Sequence, residues 1–271
     1  MKTFPNINLV IAHKLEAEKL LDYFSLRLVE SDRYQIYRNA SGMQVVISGM
    51  GYENARAATE YLGNLDSQSI ELRGWLNVGI AGHQTAEIGS CFVANKIVYP
   101  RHGRYCFPAV IFSNIPTIEV MTVDEPELEY PQDIAYEMEA AGFWDAAIKY
   151  SSLEFVQCMK IISDNKIQSI KKITNNQVLS IISERLDLIE QCCSYMQKLV
   201  RDFNTLNQVD VIVTDLFEEY RFTVAQKYQL KRLNRRFRAL RRRASFEKIV
   251  SNKFNSAKEL IEKLNYELIK L

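Results

Sequence analysis

Apolar runs of strand length alternate along this chain with stretches whose apolar residues recur every three or four positions. Residues 7–12 form a first strand-length run, and residues 15–24 follow with Leu15, Leu20, Leu21 and Phe24 on one helical face. His13 and Lys14 turn the chain between them. Strand, short turn and helix in that order predict a parallel sheet. Residues 34–38 and 44–48 read as a hairpin around Ser41-Gly42. The second strand runs into Ser48-Gly49-Met50-Gly51, and a helix is predicted from Tyr52 to about Leu65. Residues 75–78 are the next strand, entering the turn Gly79-Ile80-Ala81-Gly82-His83. Further strands are predicted at Cys91 and beyond, at 107–112 and at 117–122, with Pro126 and Pro131 marking a loop. Residues 136–150 have helical composition. They open on Glu137-Met138-Glu139 and continue with small Ala140, Ala141 and Gly142, which would let the helix approach a sheet closely.

The run after this helix is the most informative. Phe155, Val156, Cys158, Met159, Ile161 and Ile162 make a buried-strand pattern that ends in Ser163, Asp164 and Asn165. A polar cluster at the carboxyl end of an apolar strand is where open α/β sheets place ligands. Thr174-Asn175-Asn176 then begin a predicted helix over 177–203, with Val178, Ile181, Ile182, Leu186 and Ile189 as its stripe. Residues 209–271 read as helical throughout.

Length and composition narrow the class. The 271 residues are 47% hydrophobic and 25% charged, enough for one large domain, or a domain with an extension, around a sizeable core. The five cysteines (Cys91, Cys106, Cys158, Cys192 and Cys193) are odd in number and lack metal-ligand spacing, which predicts a reduced, cytoplasmic protein without a metal. The amino-terminal apolar run is too short for a signal peptide, and no apolar stretch reaches about 18 residues, so no membrane span is expected.

Charge changes the picture only in the tail. Residues 220–246 contain no Asp or Glu but ten basic residues: Arg221, Lys227, Lys231, Arg232, Arg235, Arg236, Arg238, Arg241, Arg242 and Arg243. The whole chain is formally +1, so everything outside these ten sums to −9. Leu230, Leu233, Phe237, Leu240 and Ala244 form a narrow apolar seam on the basic helix. Ser256 and Glu259 fit a capping box, and Ala257, Leu260, Ile261, Leu264 and Leu268 form the next stripe. Two amphipathic helices packed as a hairpin against the main domain are expected. The basic 221–243 helix fits either a polyanion or protein partner, or a solvated face balanced by the acidic remainder of the chain.

Met138-Glu139-Ala140-Ala141, followed about twenty-five residues later by an apolar strand ending Ile162-Ser163-Asp164, resembles the purine nucleoside phosphorylase and nucleosidase superfamily, and most of all the methylthioadenosine/S-adenosylhomocysteine nucleosidases. Ser48-Gly49-Met50-Gly51-Tyr52-Glu53-Asn54-Ala55 and Gly79-Ile80-Ala81-Gly82 resemble that family's turns against ribose and base. The resemblance covers roughly residues 6–200. It implies an α/β fold, a three-layer sandwich with a mixed, mainly parallel central sheet, over residues 1–206, with a basic helical extension at 207–271. It also implies a homo-oligomer, as a dimer, acting on a small-molecule nucleoside without a cofactor.

The chemistry follows from the bond to be broken. Cleaving a purine N-glycosidic bond leaves a cationic sugar and a poor anionic leaving group, so the base needs a proton at N7 as it departs. A buried carboxylic acid can keep and donate that proton, and Asp164 at the end of a buried strand suits the role. Glu139 would hold the ribose hydroxyls and offset the sugar cation, with Met138 as an apolar wall. Glu16 would hold the attacking water, with Glu18 as the competing acid. Each of these acids also fits an ordinary helix-terminus or loop position. Ser48, Gly82, Ile80, Val123 and Ser163 complete the expected substrate contacts, and His83 stands beside the same turn. Lys160 stands where the family has an arginine that helps hold the water. Ile80 replaces a phosphate-contacting serine. Three readings remain open: a nucleosidase, a phosphate-dependent phosphorylase, and a nucleoside-binding protein directed to a partner by its basic tail.

Overall fold

The first apolar run is β1 (Ile7–Ile11), buried at every position as an unbroken apolar strand requires. In the computed structural model, which describes residues 4–29, 33–66, 71–207 and 211–269, it is followed by α1 (Lys14–Tyr23), β2 (Arg27–Val29), β3 (Gln35–Arg38), β4 (Gln44–Ile47) and α2 (Tyr52–Asp66). Next come β5 (Gly74–His83), β6 (Cys91–Tyr99), β7 (Arg104–Cys106), β8 (Thr117–Thr122), β9 (Ala135–Glu137), α3 (Ala140–Ala147) and β10 (Val156–Asn165). Helices α4 (Asn175–Ser183), α5 (Leu186–Asn207), α6 (Val211–Glu219), α7 (Val224–Ala239), α8 (Arg243–Val250) and α9 (Ala257–Ile269) complete the chain. It divides into two compact units, Met1–Arg201 and Asp202–Leu271.

The first unit is a mixed α/β fold around one sheet. β1 pairs in parallel with β4 and β5, β5 with β10, and β8 with β6 and β9. The pairs β2–β3, β3–β4, β5–β9, β6–β7 and β6–β10 are antiparallel. Parallel and antiparallel ladders are thus equally represented, which corrects the expectation of a mainly parallel sheet. Part of the sheet also closes on itself. The circuit β5–β10–β6–β8–β9–β5 closes on itself like a barrel, while β1, β4, β3 and β2 continue as an open sheet. The cause lies in β5. Ten residues long, it pairs with β10 from Trp75 to His83; its other edge meets β1 only up to Asn77 and β9 only from Gly82. The sheet forks there.

Other local expectations change under tertiary packing. Tyr136 and Glu137 belong to strand β9, so the helix starts only at Ala140. Its small residues serve an approach to α2: a Cβ on Gly142 would lie 2.0 Å from the Tyr52 carbonyl oxygen. Residues 107–112 form no strand, and the local pairing falls to β7 instead. The single helix expected over 177–203 is broken between α4 and α5, where Arg185 Nε donates to the Gly89 carbonyl (2.7 Å). α4 begins with a capping box closed by Thr174 and Gln177.

Among the described residues the second unit holds the end of α5 and four further helices, α6 to α9, where two were expected; the predicted start at Val209 lies outside the described residues. Val213 and Leu216 of α6, Leu230, Leu233 and Phe237 of α7, Phe246 and Ile249 of α8, and Leu260, Leu264 and Leu268 of α9 share one core. Ser256 Oγ accepts from the Glu259 amide (3.2 Å), but Glu259 reaches back to the Asn255 amide (2.9 Å), one residue earlier than a capping box requires.

Candidate active site

The fork in β5 exposes the stretch where the candidate chemistry gathers. Between Asn77 and Gly82 this edge of β5 has no strand neighbour, and a side chain can take its backbone donor. Glu16 does so: its Oε2 accepts from the Ile80 amide at 3.1 Å. Glu16 is brought there by the first turn of α1, whose N-cap is His13, with Nδ1 accepting from the Leu15 amide. Gly79 makes room for the carboxylate, since a Cβ there would lie 2.8 Å from Glu16 Oε2.

Glu139 arrives from the strand-to-helix junction of β9 and α3. It is the N-cap residue of α3, yet its side chain does not cap; Oε1 accepts instead from the Gly51 amide at 2.8 Å. Gly51, in the turn before α2, has φ +95°, a conformation glycine adopts without strain. Capping of α3 is done by Glu137, whose Oε2 accepts from the Glu139 and Ala140 amides (2.9 and 2.8 Å). Glu137 Oε1 accepts from Thr122 Oγ1 (2.6 Å), and Oε2 also meets Lys160 Nζ at 2.7 Å. Both side chains of this ion pair are 1% exposed.

Asp164 sits at the end of β10. The β5–β10 register shifts between Ile162 and Asp164, an irregularity of the kind that re-aims side chains beside active sites. Its Oδ2 accepts from the Tyr130 hydroxyl and its Oδ1 from the Ser163 hydroxyl. Gly82 permits this arrangement: a Cβ there would lie 2.5 Å from Tyr130 Cε1 and 2.6 Å from Asp164 Oδ2.

These residues enclose a cavity of about 140 Å³. Of the eleven residues selected from the sequence, Glu16, Ile80, Gly82, Val123, Met138, Glu139, Ser163 and Asp164 line it. Three do not. Ser48 turns its hydroxyl to the Gly49 carbonyl (2.8 Å). His83 accepts at Nδ1 from the Thr85 and Ala86 amides (3.0 and 2.9 Å), organising the turn after β5; burial holds its pKa below the ordinary histidine value. Lys160 is wholly buried and committed to Glu137. Val123 lines the cavity with its N–H already donated to the Glu137 carbonyl (2.7 Å), so its amide is not available to a base edge.

Burial and mutual repulsion set the protonation of this cluster. Burial first, and then the charge of Glu139, push the Glu16 carboxyl up to about 7, with Lys160 and the Ile80 amide opposing. Glu139 is raised in the same way, by burial and by Glu137. Burial alone would lower Lys160, but the Glu137 and Glu139 carboxylates outweigh it and hold the ammonium above its ordinary value. One cation, Lys160, therefore acts on three carboxyl groups, Glu16, Glu137 and Glu139.

Three residues around the cavity escape the sequence reading. Glu137 stands in the sequence only as one of the acids opening residues 136–150, although an isolated lysine in the apolar run around Lys160 demands a buried acid as partner. Tyr130 and Tyr136 supply aromatic rings 6.0 Å apart, whereas residues 120–124 contain none. Tyr136 lines the cavity, and the loop prolines were the only local signal.

No protein-family model and no curated protein sequence matches the chain. Solved structures do match its shape. The 5'-methylthioadenosine/S-adenosylhomocysteine nucleosidase of Colwellia psychrerythraea 34H, in complex with adenine, superposes with a TM-score of 0.55 at 18% identity, covering 70% of this chain and 95% of that one. The chain has the nucleosidase fold. The corresponding enzyme of Neisseria meningitidis, in complex with methylthio-immucillin-A, gives a TM-score of 0.53 at 16% identity over 70% of this chain and all (100%) of that one. The futalosine hydrolase of Helicobacter pylori gives 0.54 at 13% over 70% and 96%. The fork that opens β5 to Glu16 is thus part of a nucleosidase-fold sheet, and no helix among the described residues is long and apolar enough to cross a membrane.

Proposed function

We propose that this protein hydrolyses the N-glycosidic bond of a purine nucleoside, of the adenosine or methylthioadenosine type. The observation that carries the reading is that Glu16, Glu139 and Asp164, from three separate segments, line one cavity together with Met138. Asp164 donates a proton to N7 of the departing base. Tyr130 and Ser163 are placed to stabilise the carboxylate that remains. Glu139 binds the ribose hydroxyls while the acidic wall offsets the charge that develops on the sugar. Glu16 orients and deprotonates the attacking water.

Water is favoured over phosphate by the wall itself. Glu16, Glu127, Glu137, Glu139 and Asp164 line the cavity, and no described lining residue is Lys, Arg or His. Ile80 offers no side-chain donor. A phosphate dianion would meet carboxylates without a compensating cation. A panel of purine nucleosides assayed for free base should therefore show cleavage in phosphate-free buffer and no sugar phosphate when phosphate is added. Base release that requires phosphate would overturn the hydrolytic reading.

The state of Glu16 adds a pH dependence. A general base acts ionised, and with its carboxyl at about 7 that form is lost as pH falls. kcat/KM should thus fall on the acid side of about pH 7, approaching about tenfold per pH unit if this one group governs the limb. Glu16→Gln should abolish the limb together with most of the activity. A wild-type profile flat from pH 5.5 to 8 would remove Glu16 as the base.

A further inference from the structure

The exposed face of α7 is the largest feature the proposed catalysis leaves unused. Its buried side (Leu230, Leu233 and Phe237) packs into the core of the helical unit. Opposite lie two adjacent rows at four-residue spacing, Lys227-Lys231-Arg235 and Tyr228-Arg232-Arg236, which span half the helix circumference. Lys227, Arg232, Arg235 and Arg236 are exposed, and Tyr228 is 70% exposed among them.

The charges on this face are unpaired by design of the sequence. Elsewhere the same unit uses intrahelical pairs on its surface, Arg243 with Glu247 and Lys258 with Glu262. On α7, none of Lys227, Lys231, Arg232, Arg235 and Arg236 makes an ion pair among the described residues; the two lysines lie over the Phe217 ring at 5.3 and 5.8 Å. Like charges four residues apart repel, so a face that needed only solubility would carry acids as well. Even the capping box of α7 closes with Gln226, although a glutamate there would suit the helix dipole.

We propose that this face binds the phosphodiester backbone of a nucleic acid without reading its sequence. Residues 227–236 cover about 14 Å of helix, at about 1.5 Å per residue, and carry five cations. A nucleic-acid strand presents about four phosphates over that length, at about 3.4 Å each. Arginine supplies three of the five cations, and its planar fork matches phosphate oxygens. Tyr228 offers a platform on which an unpaired base can stack. A membrane surface fits less well, because the apolar side of α7 is buried in its own core and nothing remains to insert.

The test is fluorescence anisotropy of the full chain with a 20-nucleotide single-stranded RNA and a 20-base-pair DNA duplex, from 50 to 200 mM salt. For four phosphate contacts on a single strand, log affinity should fall against log salt with a slope of about −2.8. The triple variant Arg232→Gln, Arg235→Gln, Arg236→Gln should reduce that slope by about 2 and weaken binding at least tenfold at low salt. Glutamine keeps helix propensity, and circular dichroism verifies the fold. Tyr228→Ala should weaken the single strand more than the duplex. Binding to either nucleic acid with this dependence supports the proposal. Three results overturn it: no binding at 50 mM salt, an unchanged slope in the triple variant, or equal competition per charge by polyglutamate or phosphatidylserine vesicles.

Discussion

Replacing Asp164 by asparagine is expected to lower kcat by about 10²–10⁴-fold while nucleoside binding changes far less. That range is the usual contribution of a positioned general acid or base. Asp164 is 2% exposed, and its two oxygens accept from different hydroxyls. Asparagine keeps the shape, one acceptor oxygen and hydrogen bonds to both hydroxyls, because a hydroxyl can rotate to accept from the new amide. What it lacks is a transferable proton. The loss should therefore appear in kcat more than in KM, with the melting temperature of the variant close to that of the parent. If Asp164 only anchors Tyr130 and Ser163, asparagine would serve nearly as well. A folded Asp164→Asn protein with near-normal turnover on the best substrate would then exclude the general-acid role.

The second large effect concerns stability. Lys160→Met keeps a similar apolar stem but leaves the buried Glu137 carboxylate without its cation. Removing one partner of a buried ion pair typically costs about 3–5 kcal/mol, a large share of the roughly 5–15 kcal/mol that holds a typical protein folded. Glu137 retains the Thr122 hydroxyl and two amides as donors, which limits the loss but supplies no counter-charge. The double variant Lys160→Met, Glu137→Gln removes both charges and should recover much of the stability lost by Lys160→Met alone. Urea titrations of the two single variants and the double would measure this coupling. A Lys160→Met protein as stable as the parent would show that the pair contributes little. Activity should change in parallel. Lys160 lowers the pKa of both Glu16 and Glu139, so its removal should move the acid limb of kcat/KM to higher pH.

What was legible in the sequence is what local chemistry controls. The apolar runs located β1, β5 and β10 because strands buried on both faces tolerate few polar residues. The Ser41-Gly42 hairpin and the helix starts after Gly51 and Thr174 followed from turn and capping residues that act over three or four positions. Most of the candidate site was legible as well, since Glu16, Gly82, Glu139 and Asp164 all stand at ends of recognisable elements. Tertiary structure decided how those ends meet. Strand pairing joins segments distant in sequence, and nothing in the periodicity of β5 reveals that one of its edges is shared between β1 and β9. That division makes the sheet close into a ring and frees the Ile80 amide for Glu16. Two of the expected residues lie off the cavity for local reasons. Ser48 and His83 have the right position along the chain, but backbone groups beside them satisfy their side chains and turn them from the cavity. Glu137 lies two residues from Glu139 and does different work, because Glu137 meets Lys160 at 2.7 Å although β5 separates their strands in the closed ring. Composition supplies the charges. Which carboxylate is paired with a cation, and which have raised pKa values, depends on distances that exist only after the sheet has closed.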